Sequence, residues 1–482
     1  MAAPLGAAAP SVVAPATPAA LFARHALLPH GWVDDVLLEW DSGGTLRSVT
    51  PGAAPPAGVT MAHLVLPGMI NLHSHAFQRA LGGLTETAGD AVHHRADSFW
   101  TWRDLMYRFA RSITPAQIEA IAAQLFVDCL RHGYTAICEF HYLQRDASGA
   151  WYARPEETAQ RVISAARTAG IGLTMLPVLY SYSGFGEQAL GLDQQRFRAD
   201  PGQVLRIVEA LDAQRDGQLE VGAAPHSLRA ASVKQIAELA QALPHGRPLH
   251  IHIAEQVGEV QQCLASTGMR PLRYLAEHVA LDARWCLVHA THIDTSDTGD
   301  TSDIALIAAS GAVAGLCPST EANLGDGLFP LAPWLAAGGR FGIGSDSHVS
   351  HSPVEELRWL EYGQRLQYRR RNVAQSPTQR RVGEFLWQGA LQGGAQASGR
   401  PVGALAAGLR ADLLVLDAGH PNLDGVAPAD VLGMFIFSGN DNLVRDVLVG
   451  GRWVVQDGRH IDQHAIGARF TQALAQLRES RA

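Results

Sequence analysis

Cysteine is scarce in this chain. The five cysteines, Cys129, Cys138, Cys263, Cys286 and Cys317, are scattered, odd in number and never form a CxxC pair. A disulfide framework and a cysteine-built zinc site are therefore disfavoured, and a reducing cytoplasm is the compartment that fits best. Runs of Lys or Arg are absent as well. With a net charge of −8, that absence argues against a nucleic-acid or acidic-membrane partner. No uninterrupted apolar run approaches the ~20 residues that span a bilayer. The Ala/Pro-rich start holds no Lys or Arg before Arg24, and Pro4, Pro10, Pro15 and Pro18 break it up. It lacks the basic start and unbroken apolar stretch of a secretory signal. Residues 1–20 are expected to form a disordered tail.

What is present is the composition of a soluble globular protein, 47% hydrophobic and 17% charged over 482 residues. Length alone suggests two to three domains, but α/β barrels with insertions also reach this size as one unit. Short apolar, β-rich runs alternate with longer amphipathic stretches between Leu64 and His348, the pattern of βα units. Eight strands are expected: His63–His75, Tyr134–Tyr142, Gly172–Ser181, Leu219–Ser227, Pro248–Glu255, Cys286–Ile293, Ala312–Pro318 and Phe341–His348. Helical patterns lie between them, as at Pro155–Ala169, Pro201–Gln214 and Ser232–Ala242. Eight such units argue for a closed (β/α)8 TIM-type barrel, although periodicity alone also allows an open doubly wound sheet.

The two ends read differently. Leu27–Thr50 looks like short strands joined by turns, with Asp41-Ser42-Gly43-Gly44 as a hairpin signal. Two helix-like stretches, Val354–Arg371 and Thr378–Ala397, are followed by strands at Ala411–Leu416, Val444–Val449 and Trp453–Val455. The expected organisation is a small β-sandwich built from residues 21–65 and 401–482, the latter with a terminal helix, beside a barrel spanning 66–400.

Titratable residues fall at the C-terminal ends of the expected strands, where barrel enzymes keep their active sites. In a strand, residues two apart project to one face, so His73 and His75 can offer two imidazoles to one ion. The fifth strand carries His252, with Glu255 at its lip as a proton carrier. The sixth carries His289 and His292, and the eighth carries Asp346. Each has a bland alternative: a barrel-lining histidine bonded to a backbone carbonyl, or an aspartate capping a helix. Four strands all ending in ligand types fit a shared ion better. Three imidazoles, one carboxylate and a water suit zinc, and the ligand types also admit iron or manganese.

This constellation resembles the amidohydrolase superfamily over nearly the whole chain. The fourth strand, Gly222-Ala223-Ala224-Pro225-His226-Ser227, lacks the lysine that bridges two metals in many members. The resemblance therefore implies one Zn2+ per chain, as in the superfamily's deaminase branch, of which the HxxE of His252 and Glu255 is a hallmark. The stretch Gly408–Asp417 is similar to the β-domain closure of these enzymes. A narrower likeness is to the N-formimino-L-glutamate deiminases of bacterial histidine breakdown. It rests on Asn71-Leu72-His73-Ser74-His75-Ala76-Phe77-Gln78-Arg79-Ala80, on Asp97-Ser98-Phe99-Trp100-Thr101-Trp102-Arg103, and on Glu139-Phe140-His141-Tyr142.

That resemblance implies hydrolysis of a formamidine-type carbon, giving N-formylglutamate and ammonia. It implies that His73, His75, His252 and Asp346 hold the ion, and that Glu255 takes the water's proton and passes it to the departing nitrogen. His289 would hydrogen-bond the metal-bound hydroxide and stabilise the tetrahedral intermediate, with Asp346 sharing the proton traffic. Arg103 and Arg229 are the candidates to grip the dicarboxylate substrate, since a guanidinium fork matches a carboxylate. Gln78, Tyr142 and His226 would add hydrogen bonds. Rival readings are a deaminase or chlorohydrolase acting on a purine, pyrimidine or triazine ring, and a non-catalytic scaffold barrel. Trp100 and Trp102 read either as a lid or as packing on the barrel rim. The sequence does not decide whether His93, His94, His348 and His351 touch the site. It does not fix the oligomeric state either, though such barrels often form homodimers.

Overall fold

The structure is a computed structural model that describes residues 19–87, 99–296, 299 and 302–479. Most of the expected N-terminal tail lies outside the described residues. The N-terminal stretch forms β1 (Ala19–Leu28), β2 (Gly31–Trp40), β3 (Leu46–Thr50) and β4 (Thr60–Pro67). The barrel opens with β5 (Met69–Ser74), β6 (Tyr134–His141), β7 (Gly172–Leu179) and β8 (Leu219–Val221), which β9 (Ala224–Pro225) continues. It is completed by β10 (Leu249–Ile253), β11 (Trp285–His289), β12 (Val313–Leu316) and β13 (Arg340–Ile343). The C-terminal strands are β14 (Leu413–Leu416), β15 (Val444–Val449), β16 (Arg452–Gln456) and β17 (Arg459–His460).

Neighbouring strands from β5 to β13 pair in parallel, with β13 meeting β5 at Ile343 and Asn71. Parallel bridges Ala223–Leu249 and Ser227–His252 close the ring. The strands are buried almost end to end, which is why they read as apolar runs rather than alternating ones. The intervening helices start on recognisable caps. Thr114, Asp200 and Ser232 each accept the N–H of a glutamine three residues on, and that glutamine reaches back to the cap's own N–H. These reciprocal boxes satisfy helix-end donors otherwise left without partners.

The first expected strand, His63–His75, is two strands. Both halves are apolar, so hydropathy shows no break, but the chain changes sheets at Gly68. There its N–H donates to Asp412 O, and a side chain would collide with Thr135. β4 lies parallel to β1 and antiparallel to β14. It thus joins both chain ends in one sheet, ordered β17-β16-β15-β14-β4-β1-β2-β3. The sandwich is this single sheet folded on itself: Thr45 bridges Arg410, and Leu21, Leu38, Trp40, Leu413 and Leu448 share a small core between its halves. The fourth expected strand is also split, into β8 and β9, where Gly222 lets the Pro248 carbonyl come close. A helix that the sequence reading did not identify spans Pro428–Phe437, and the expected terminal helix spans Gln463–Glu479. No helix among the described residues is long and apolar enough to cross a membrane.

Candidate active site and metal centre

The C-terminal ends of β5 and β13 are laced together by backbone. Asp346 N–H donates to His73 O at 3.0 Å, and His75 N–H donates to Asp346 O at 3.3 Å. Asn71 secures the same junction, donating to Ser345 Oγ at 2.6 Å and accepting from Ser345 N–H at 3.0 Å. This lacing brings Asp346 Oδ1 to 3.4 Å from both His73 Nε2 and His75 Nε2. β10 adds His252, whose Nε2 lies 3.0 Å from His73 Nε2 and 3.3 Å from His75 Nε2. All four ligand-type atoms fall within 4.8 Å of one another, and all four residues are buried.

The donor chemistry of this cluster fits a cation. His75 Nδ1 meets the Phe140 carbonyl at 2.9 Å, and His252 Nδ1 meets the His226 carbonyl at 3.0 Å. A carbonyl only accepts, so both protons sit on Nδ1 and both Nε2 atoms present lone pairs. Two lone pairs facing each other at 3.3 Å, beside a carboxylate, repel unless a positive ion lies between them. Burial pushes the His73, His75 and His252 pKa values below the usual 6.5, so the rings are the neutral imidazoles that metals take. Cys317 lies against His289 and Asp346, but burial raises its thiol pKa well above the usual value and keeps it protonated.

Around this cluster lies a small cavity of about 40 Å³. It brings together every residue expected at the site other than the deeper His73, with Glu255, His289, Gln78, Arg103, Tyr142, His226 and Arg229 all on its wall. Burial raises the Glu255 carboxyl to about 7, with His289 and Arg229 pulling the other way. Burial lowers the His289 imidazole, but Glu255, Glu321 and Asp346 outweigh it and bring it to about 10. A bound cation adds positive charge and opposes that rise. Burial also works against the Arg229 charge, yet Glu259 and Glu255 raise its pKa above the ordinary value. Gln78 Nε2 donates to Tyr142 Oη at 2.8 Å. The Arg103 guanidinium sits 5.3 Å from the centre of the Tyr107 ring.

Several histidines take the bland roles. His250 Nε2 donates to Ala397 O and His292 Nε2 to Asp326 O, so a backbone carbonyl holds each ring. His348 is buried behind the ligands, 3.2 Å from Ser74 Oγ and 3.0 Å from Ser345 Oγ, and its ring stacks on His351. Trp102 lines the cavity. The Trp100 side chain, His93 and His94 lie outside the described residues.

Other residues enter the wall unforeseen. Tyr107 and Tyr180 share the cavity, with hydroxyls 3.1 Å apart, and Gln194 Nε2 donates to Tyr180 Oη. The available signals were the i, i+4 spacing of Arg103 and Tyr107 on one helix and the place of Tyr180 just past a barrel strand. Backbone strain marks the same rim. Ala254, His289, Ala290, Asp346 and His348 all have positive φ, between 46° and 67°, a conformation costing about 1–3 kcal/mol each in non-glycine residues.

The pattern of the amidohydrolase family matches residues 64–454, and that of the N-terminal domain of the formimidoylglutamate deiminase HutF matches residues 19–60. A formimidoylglutamate deiminase of Pseudomonas aeruginosa is 51% identical over 459 residues, covering 95% of this chain and 99% of that protein. A 5-methylthioadenosine/S-adenosylhomocysteine deaminase of Natronomonas pharaonis is 27% identical, covering 92% and 94%. Among solved structures, an amidohydrolase from Brucella melitensis superposes with a TM-score of 0.88 at 43% identity, covering 95% of this chain and 99% of that one. An adenosine deaminase from Xanthomonas campestris, at 19% identity and a TM-score of 0.76, shares the fold. The match over most of the chain and the close relative agree with the histidine–aspartate centre, and the chain belongs to the amidohydrolase family.

Proposed function

We propose that this enzyme hydrolyses N-formimino-L-glutamate to N-formyl-L-glutamate and ammonia, in histidine breakdown in the cytoplasm. The observation that carries the reading is one cavity pairing the histidine–aspartate cluster with two arginines, Arg103 and Arg229. The first suits water activation and the second suits a substrate with two carboxylates. The 51% identity to a formimidoylglutamate deiminase supports the same substrate.

His73, His75, His252 and Asp346 would hold one zinc ion, the best match to three imidazoles and a carboxylate. Such an ion supplies Lewis acidity, bringing the pKa of a bound water toward about 7. Glu255 removes the proton from the attacking water and delivers it to the leaving nitrogen. His289, whose Nε2 lies 3.8 Å from Glu255 Oε1 and 3.7 Å from Asp346 Oδ2, steadies charge on the attacked carbon's substituents. Arg103 and Arg229 bind the carboxylates, and Gln78, Tyr142 and His226 orient the chain between them.

Ammonia release by zinc-loaded protein tests this, with N-formimino-L-glutamate as substrate and N-formimino-L-aspartate, guanine and cytosine as controls. Release from the glutamate compound alone is the expected result. Release from a ring substrate instead would overturn the substrate while keeping the hydrolytic centre. Chelation should abolish turnover, and zinc should restore it.

A further inference from the structure

Beyond the residues already assigned, one buried carboxylate touches the site from outside its cavity wall. Glu321 stands on the short helix Pro318–Leu324, directly after β12. Its Oε1 lies 3.2 Å from His289 Nδ1 and accepts the Cys317 N–H at 2.9 Å. Side-chain exposure is 1% for His289 and 6% for Glu321, so water does not compete for this contact. The Cys317 amide holds in place the same oxygen that faces the ring. The His289 ring lies nearly parallel to His252, at 21°, so packing sets its plane but not which nitrogen carries the proton. His289 Nε2, at the opposite end of the ring, is buried without a hydrogen-bond partner and faces Glu255 and Asp346.

We infer that Glu321 is the positioning residue for His289: it holds a proton on Nδ1 and so fixes what Nε2 presents to the reacting water. Oε1 already accepts the Cys317 N–H and so acts as an acceptor, which makes the ring nitrogen against it the donor. The tautomer with its single proton on Nε2 would set a lone pair against Glu321 and is excluded. The same logic lets a buried aspartate orient the histidine of a hydrolytic triad. Positive φ at His289 and Ala290 places the ring at this junction, where Glu321 meets its Nδ1.

The competing account is purely structural, with Glu321 only a partner for the Cys317 amide. Glu321→Leu separates the two, because it removes the oxygen that both donors share and only the positioning role predicts a changed His289 tautomer; Glu321→Gln, whose oxygen can take the place of Oε1, is the rescue variant. The inference rests on the proposed substrate for its kinetic arm and not for its spectroscopic one. In zinc-loaded Glu321→Leu, kcat for N-formimino-L-glutamate should fall about 10- to 100-fold with KM and zinc content close to the parent's, and Glu321→Gln should recover most of the loss. In 15N-histidine spectra of Glu321→Leu the His289 signals should leave the pattern of a protonated Nδ1. Unchanged kcat with an unchanged His289 tautomer would overturn the inference, as would a loss of zinc or Tm that accounts for the lost activity. If the parent enzyme fails to act on the glutamate compound, the substrate reading fails, and the 15N spectra still decide the role of Glu321.

Discussion

A carboxyl buried as deeply as Glu255 is costly to ionise, and its pKa near 7 places it where a base for neutral water has to work. Protonation removes the base, so kcat/KM should fall as pH drops below about 7, and a bound cation should shift that midpoint downward. A rate–pH profile flat between about pH 5 and 8 would remove Glu255 from the role. Glu255→Gln should cost about 10²–10⁴ in kcat while metal analysis still finds about one zinc per chain. Arg103→Met should mainly raise KM for the dicarboxylate substrate, and unchanged kinetics would take Arg103 out of the pocket. At this scale the sequence was informative wherever a strand end carried a ligand-type residue, as at His73, His75, His252 and Asp346. It was silent on Glu321, and for Tyr107 and Tyr180 it offered only a helix spacing and a place past a strand end. Their roles are completed by meetings between distant segments, such as Tyr107 with Tyr180, which a local pattern does not fix.

Elements position these side chains through close approach. The helix Val382–Ser398 carries Gly393 and Gly394, and it lies so near β13 and β5 that a Cβ at Gly393 would strike the Phe341 carbonyl. Gly344 is tighter in its consequences: a Cβ there would stand 2.8 Å from His73 N and Cβ. Gly344→Ala should therefore push the two ligand strands apart. The expected outcome is a loss of about 1–3 kcal/mol of stability together with weakened metal retention, read by Tm and by zinc content after dialysis. The eight barrel strands were legible because burial on both faces makes each a compact apolar run. The break at Gly68 was not, since two consecutive apolar strands in different sheets look like one long strand. The helix cap boxes at Thr114, Asp200 and Ser232 were present in the residues as well. They gain meaning only once a helix begins there.

At the scale of the molecule, the small sheet ties the chain's two ends to the strand that leads into the metal centre. Leu414 is fully buried on β14, pairs with Leu66 on β4 and packs against Gly133. Leu414→Ala should cost about 2–5 kcal/mol, seen as a lowered Tm, with kcat of the surviving folded enzyme little changed. The pairing of chain ends was expected from turn signals and apolar runs at both termini. The fold-over of a single sheet was not, because bridges such as Thr45–Arg410 join residues that share no periodicity.

That pairing also sets an order of events during synthesis. β4 emerges early with one edge waiting for β14, whose residues follow about 350 positions later. At about 5–20 residues per second, that edge stays open for roughly 20–70 s. An uncovered apolar edge of this kind invites misplaced pairing. A chaperone that shields nascent N-terminal segments should therefore raise the yield of this protein more than one acting after release.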